Sequence, residues 1–153
     1  FGIKTLRNII QGIQQWDVRV YTLKQALRHL IDEESIQSEF SLTLKTAGLH
    51  GAKLSEDHKA QILAIVHEAL TNVRKHAEAD RVVVSAVRVG SRIEISVRDN
   101  GIGFRNEHLE SEPEAHHIGL VSMEERARLV GGRLNIRSKA NQGTNVRLTI
   151  PLE

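Results

Sequence analysis

The sequence predicts an α+β fold: a two-layer α/β sandwich in which one mixed sheet carries helices on a single face, preceded by an N-terminal helical segment. Three observations lead there. Apolar residues recur at helical spacing over 3–31, 54–77 and 120–130. Apolar and polar residues alternate, or β-branched residues cluster, near 40–44, 81–89, 93–97, 134–136 and 146–150. Strands with one apolar face need a layer of helices to cover that face and no other.

The first helical region carries two offset apolar series, Ile3, Leu6, Ile10, Ile13 and then Val20, Leu23, Leu27, Leu30. Joining them at one phase would put Asp17 and Lys24 in the seam, so the pattern breaks near Trp16-Asp17. The first series reads either as the end of a coiled-coil or bundle helix or as an amphipathic helix on the domain's own sheet. The second packs on this domain. Phe40, Leu42 and Leu44 then alternate as a half-buried strand, Gly48 and Gly51 mark a loop, and Ser55 is the expected N-cap of a central helix over 54–77. Ile62, Ile65, Val66, Ala69 and Val73 give that helix its apolar face. A hairpin follows, turning at Val89-Gly90-Ser91-Arg92 into the alternating Ile93, Ile95 and Val97. Residues 105–117 are polar and acidic without a sustained period, the pattern of a mobile loop. Helical spacing resumes over 120–130 and stops at Gly131-Gly132. Leu134 and Ile136, then Val146, Leu148 and Ile150, form two closing strands around Asn141-Gln142-Gly143-Thr144.

At 153 residues, 40% hydrophobic and 26% charged, the chain can bury a real core, and with only 3% aromatics that core is aliphatic. A formal charge of +2, with no run of Lys and Arg, gives no argument for nucleic acid. The lack of cysteine excludes disulfides and thiolate chemistry and agrees with a cytoplasmic setting. No stretch of apolar residues is long enough to span a membrane. The start at Phe1 reads as a fragment of something longer, whose full length is open to membrane anchoring.

Chemistry concentrates in His67-Glu68-Ala69-Leu70-Thr71-Asn72-Val73-Arg74-Lys75-His76-Ala77. Glu68, Asn72, Lys75 and His76 run as a stripe beside the apolar face of the central helix. An amide oxygen, a carboxylate and two cationic groups suit a magnesium–phosphate complex, though a solvated helix flank has the same look. Asp99-Asn100-Gly101-Ile102-Gly103-Phe104 ends the second hairpin strand. A fixed carboxylate there accepts from the amino group at the 6-position of adenine and repels the carbonyl of guanine; Asp-Asn-Gly is equally an ordinary turn. Gly119-Leu120 precedes a helix whose first amides suit phosphate oxygens, or it is a plain helix start. Gly143-Thr144 places a hydroxyl beside a flexible backbone position, or is only a tight turn. The four in one order are more specific than any one alone.

Together these motifs resemble the ATP-binding catalytic domain of bacterial sensor histidine kinases, within the GHKL superfamily of ATPases and its Bergerat-type fold. The segment 67–77 looks like the N box and 99–104 like the first glycine box. Gly119-Leu120-Val121-Ser122-Met123-Glu124-Glu125-Arg126-Ala127 with Gly131-Gly132 looks like the second. The likeness covers about 40–152 and points to the nitrate, nitrogen-response and membrane-fluidity sensor subgroup. It implies ATP and Mg2+ as ligands, with Asn72 on the metal and Glu68 ordering a water or acting as base. It further implies that Lys75 and His76 meet the phosphates, that Asp99 and Thr144 serve adenine, that Gly101 and Gly103 flank the base, and that Gly119 and Leu120 contact phosphate. Residues 105–117 become a lid, 1–17 the end of a dimerisation helix, and 18–153 the catalytic domain. The partners implied are a dimerisation and phosphoacceptor domain and, through it, a response regulator, in a homodimeric phosphoprotein of a two-component system.

His117 and Ser122 stand where several relatives carry glycine, which implies a stiffer lid. A phosphoacceptor box is missing: His67-Glu68 lies inside the N box, and His29 has no acidic neighbour. His116-His117 lacks a carboxylate at helical spacing for a metal, and Thr71 stands where a zinc protease has its second histidine. Two rival readings share the fold, an anti-sigma-factor-type serine kinase and a nucleotide-gated interaction module that transfers no phosphate.

Overall fold

A computed structural model of the chain describes residues 20–103 and 114–152. The elements run α1 (Leu23–Gln37), β1 (Ser41–Ala47), α2 (Glu56–Asn72) with a π-helical turn (Val73–Ala77), β2 (Arg81–Val89), β3 (Arg92–Asp99), α3 (Glu114–Leu129), β4 (Arg133–Lys139) and β5 (Gly143–Pro151). The five strands form one sheet in the order β1-β2-β3-β5-β4. β1 pairs parallel with β2 and every other pair is antiparallel, so the sheet is mixed as expected. Its inward residues, among them Leu44, Val82, Val84, Ile93, Ile95, Leu148 and Ile150, are buried under the three helices, while the alternate positions face outward.

The central helix is apolar over more than one stripe. Besides Ile62, Ile65, Val66, Ala69 and Val73, it buries Leu63, Ala64 and Leu70, because α1 and α3 flank it while the sheet lies beneath. Ser55 caps its first turn, accepting from the His58 amide at 3.1 Å. Thr22 and Gln25 form a capping box at the start of α1. Leu23, Leu27 and Leu30 of the second apolar series are buried. Val20 of that series precedes the helix and is exposed, and α1 extends to Gln37, beyond the expected end at 31. The first series and the break at Trp16-Asp17 lie outside the described residues.

α3 explains its motif through packing. Met123 and Ala127, one turn apart, are buried against α2, and Arg126 Nη1 donates to Gln61 Oε1 at 3.1 Å. The Gly131 amide donates to the Arg128 carbonyl and the Gly132 amide to the Ala127 carbonyl, a Schellman stop. One expectation is corrected here. The segment read as loop to His117 is helical from Glu114, so Gly119 and Leu120 lie within the helix and not ahead of it. An acidic residue directly after a proline is a helix-start signal that needs no apolar period. The rest of the segment expected to form a lid lies outside the described residues. No helix among the described residues is long and apolar enough to cross a membrane.

Candidate functional site

The inward series of β3 runs Ile93, Ile95, Val97 and then Asp99, so the alternation that builds the core also buries a carboxylate at its edge. Asp99 is 6% exposed. Its Oδ1 accepts from the Gly101 amide at 2.8 Å and the Thr144 amide at 3.3 Å, and neither bond uses Oδ2. Burial pushes its pKa above the ordinary carboxylate range, and the two amide bonds pull the other way. Asn100 turns outward and accepts from the Asp80 and Arg81 amides, fastening this loop to the start of β2.

Asp99 opens onto a cavity of about 160 Å³ between α2, the sheet and α3. Its walls are mostly apolar (Ala69, Val73, Val97, Ile102, Leu120, Ile136 and Val146), and its polar groups are Asn72, His76, Asp99 and Thr144. A cavity of about 150 Å³ with apolar walls accepts a single benzene ring, so this one is in the size class of one flat heterocycle. Few polar groups on an apolar lining is the build of a small-molecule site.

The structure brings some of the sequence-predicted residues together and not others. Asn72, His76, Asp99, Gly103, Leu120 and Thr144 line the cavity. Lys75 does not: it is exposed and off the lining. The cause is the π-helical turn at Val73–Ala77, which breaks the 100° step on which the four-residue stripe rested. Glu68 is also off the lining and lies against Gly119, where a Cβ would come within 2.5 Å of Oε1 and 3.8 Å of Asn72 Nδ2. The bare backbone of Gly119 therefore lets α3 close onto the Glu68–Asn72 pair. As Gly119 is inside a helix, its amide belongs to the helical ladder and is no longer one of the unsatisfied N-terminal donors that the sequence pattern invoked for phosphate.

Gly101 and Gly103 serve a close approach of a different kind from the expected one. Gly101 is absent from the lining, and a Cβ there would overlap the Ala77 carbonyl, to which Ile102 donates at 2.7 Å. Gly103 has φ +63°, and its Cβ would overlap the Lys139 carbonyl. Both glycines let the loop cross other backbone, which fixes the height of Asp99. Thr144 contributes its amide to Asp99, while its hydroxyl shares a 2.8 Å hydrogen bond with Ser138.

One buried group was missed. Glu34 of α1 is 5% exposed, with His67 Nδ1 at 2.9 Å from Oε1 and Arg74 Nη1 at 2.8 Å from Oε2. The Arg74 contact is one of charge, without an N–H aligned along it. Both partners belong to the 67–77 segment, so His67 points to α1 and not to the cavity. The signal was present: Glu34 continues the 3-4 spacing of Leu23, Leu27 and Leu30.

The family model for histidine kinase-, DNA gyrase B-, and HSP90-like ATPases matches residues 57–153. The chain is 35% identical over 102 residues to the signal transduction histidine-protein kinase/phosphatase DegS of Brevibacillus brevis, covering 67% of this chain and 25% of that protein. It is 29% identical over 134 residues to an uncharacterized sensor-like histidine kinase of Chloroflexus aurantiacus, covering 86% of this chain and 22% of that protein. The chain thus spans about a quarter of the length of these relatives. Among solved structures, the histidine kinase domain of the Erythrobacter litoralis EL346 blue-light activated kinase superposes with a TM-score of 0.67 at 20% identity, over 96% of this chain and 70% of that one. Acinetobacter baumannii AdeS gives 0.70 at 13% identity, over 99% and 75%. At these identities the likeness concerns the fold.

Proposed function

The chain belongs to the family of histidine kinase-, DNA gyrase B- and HSP90-like ATPases, and on that premise we propose that it binds Mg-ATP and donates the γ-phosphate to a histidine of a dimerisation domain outside this chain. In this reading, it is the catalytic part of a cytoplasmic two-component sensor kinase that acts as a homodimer and passes phosphate to a response regulator. Residues 1–17 are then the end of the dimerisation helix and 18–153 the catalytic domain.

The observation that carries the reading is Asp99. Two amides hold its Oδ1, and Oδ2 is left for a ligand at the edge of an apolar cavity sized for one ring. Adenine meets that oxygen with an amino donor; guanine would oppose it with a carbonyl acceptor. Val97, Ile102, Leu120 and Val146 then cover the faces of the base. His76, exposed at the cavity rim, and Lys75 beside it would meet the phosphates.

The donor set also fits magnesium. Asn72 lines the cavity, and Glu68, one helical turn earlier, packs with it against Gly119. Among the described residues no cluster of three or more His, Cys, Asp or Glu could hold a metal by protein ligands alone, and magnesium bound with phosphates needs only one or two. Asn72 would hold the ion and Glu68 a water of its shell; the ion supplies charge neutralisation at the phosphates. Phosphoryl transfer asks for positioning and charge stabilisation more than covalent chemistry. The nucleophile has to come from elsewhere, since none of the eight histidines has an acceptor's setting. His67, the only one followed by an acidic residue, is tied to the buried Glu34.

The test is incubation with γ-labelled ATP. The chain alone acquires no acid-labile label; fused behind a dimerisation hairpin bearing a histidine next to an acidic residue, it labels that histidine. Acid-labile phosphate on the chain itself, or acid-stable phosphoserine on an added partner, would contradict the proposal.

A further inference from the structure

The strand alternation that buries one face of the sheet leaves the other uncovered by any described element. On β3, β5 and β4 the outward positions include Arg92, Arg98, Arg147, Arg133, Arg137 and Lys139, all exposed. The single carboxylate on these three strands' outer face is Glu94, already tied to Arg92 at 3.3 Å. With a formal charge of only +2 for the whole chain, the cationic excess is gathered here by period-two spacing and not by a run in sequence. The registers set a checkerboard. Arg98 lies opposite Asn145, which lies opposite Arg137; on the next rung Ser96, Arg147 and Asn135 align; on the next, Glu94, Thr149 and Arg133. No arginine therefore directly opposes another, a pairing that would be destabilising. At the Asp99 end, Arg98, Arg137, Lys139 and Asn145 border a cleft of about 290 Å³ that also touches Asp99 and Thr144, and the buried Oδ1 of Asn145 has no hydrogen-bond partner among the described residues.

We infer that this face is a docking surface for an acidic protein segment, with the Arg98–Asn145–Arg137 cleft taking a carboxylate side chain. Arginine outnumbers lysine on it, and the planar guanidinium matches carboxylates in a way an ammonium does not. Asn, Ser and Thr between the charges supply neutral hydrogen-bonding groups suited to a peptide backbone. These strands carry no outward aromatic on which bases could stack. They also present no outward Leu, Ile or Phe to insert into lipid. The surface is on the sheet face away from the helices, and its cleft meets the nucleotide cavity only at Asp99 and Thr144. This inference does not depend on the nucleotide reading.

The test uses a fluorescent peptide of alternating glutamate and serine, with a lysine–serine peptide, a short DNA duplex and vesicles containing phosphatidylserine as the other arms. Anisotropy should show the acidic peptide binding, with affinity falling as sodium chloride rises. The triple substitution Arg133→Glu, Arg137→Glu, Arg147→Glu should weaken it by about tenfold or more. The same reversal at Lys24, Lys53 and Arg128, exposed residues elsewhere, should change it little. Arg133→Gln with Arg137→Gln and Arg147→Gln gives an intermediate loss and guards against misfolding of the triple glutamate variant. Melting curves should match the parent. Equal binding by parent and face variants, equal loss in the control variant, or tighter binding of the duplex or the vesicles than of the peptide would overturn the inference.

Discussion

Replacing Asp99 by asparagine changes one atom of the cavity wall and tests what that wall reads. The Gly101 and Thr144 amides both donate to Oδ1, so the amide oxygen of the substituted side chain takes that place and its NH2 group turns to where Oδ2 was. Adenine's amino group then meets a donor where it had an acceptor. The loss is a hydrogen bond to a charged group, worth about 1.5–3 kcal/mol, on the same scale as leaving a buried group unsatisfied. At about 1.4 kcal/mol per factor of ten, ATP affinity falls roughly 10- to 150-fold. Stability should hold or rise, because burial disfavours the carboxylate that the substitution removes. Calorimetric titration with ATP, paired with urea unfolding, separates the two effects. Affinity within threefold of the parent would refute the assignment of Asp99 to the base. A parallel loss of stability would show that Asp99 serves the loop crossing instead.

Three further outcomes follow from the same geometry. Asn72→Ala should keep the fold and lose most of the magnesium-dependent gain in ATP affinity, measured by titration with and without EDTA; an unchanged gain places the ion elsewhere. Asp99 has its folded pKa raised by burial, so its contribution to stability is full below the ordinary carboxylate range and is lost as pH rises through the folded value. The stability difference between Asp99→Asn and the parent should accordingly grow in favour of the variant across that interval, and a difference flat with pH would contradict it. Glu34→Ala leaves His67 and Arg74 without their shared carboxylate; with both partners partly exposed, the cost should be about 2–3 kcal/mol by urea unfolding. A loss under half a kcal/mol, on the order of a neutral surface change, would mean that solvent substitutes for the pair.

The sheet was legible because only one face is covered: the alternation of Ile93, Ile95 and Val97, or of Val146, Leu148 and Ile150, can arise only when the two sides differ. Asp99 drew attention as a carboxylate at the end of that strand; its burial follows because it is also in phase with those residues. Other features depended on geometry that a uniform period hides. The π-helical turn moved Lys75 off the cavity while keeping His76 on it. The start of α3 at Glu114 falls in a polar stretch with no apolar period, so the expected position of Gly119 at a helix end was wrong. Gly101 and Gly103 are expected to flank the base, whereas the backbone that their missing Cβ atoms admit is that of Ala77 and Lys139, residues remote in sequence. Glu34 was overlooked because an acidic residue in an apolar phase looks like the end of the helical face; its partners come from a helix some 30 residues away. The arginine face escaped notice because its charges alternate with core residues and never form a run.

The central claim is that the cavity between α2 and the sheet reads adenine through Asp99, and amide NMR tests it at the atoms involved. With ADP and magnesium, the Gly101 and Thr144 amides, which donate to Asp99, should shift together with Asn72 and Ile102, while β1 stays unmoved. GDP at the same concentration should leave Gly101 and Thr144 where they were. Equal shifts with both nucleotides, or ADP shifts that bypass Gly101 and Thr144, would contradict the account.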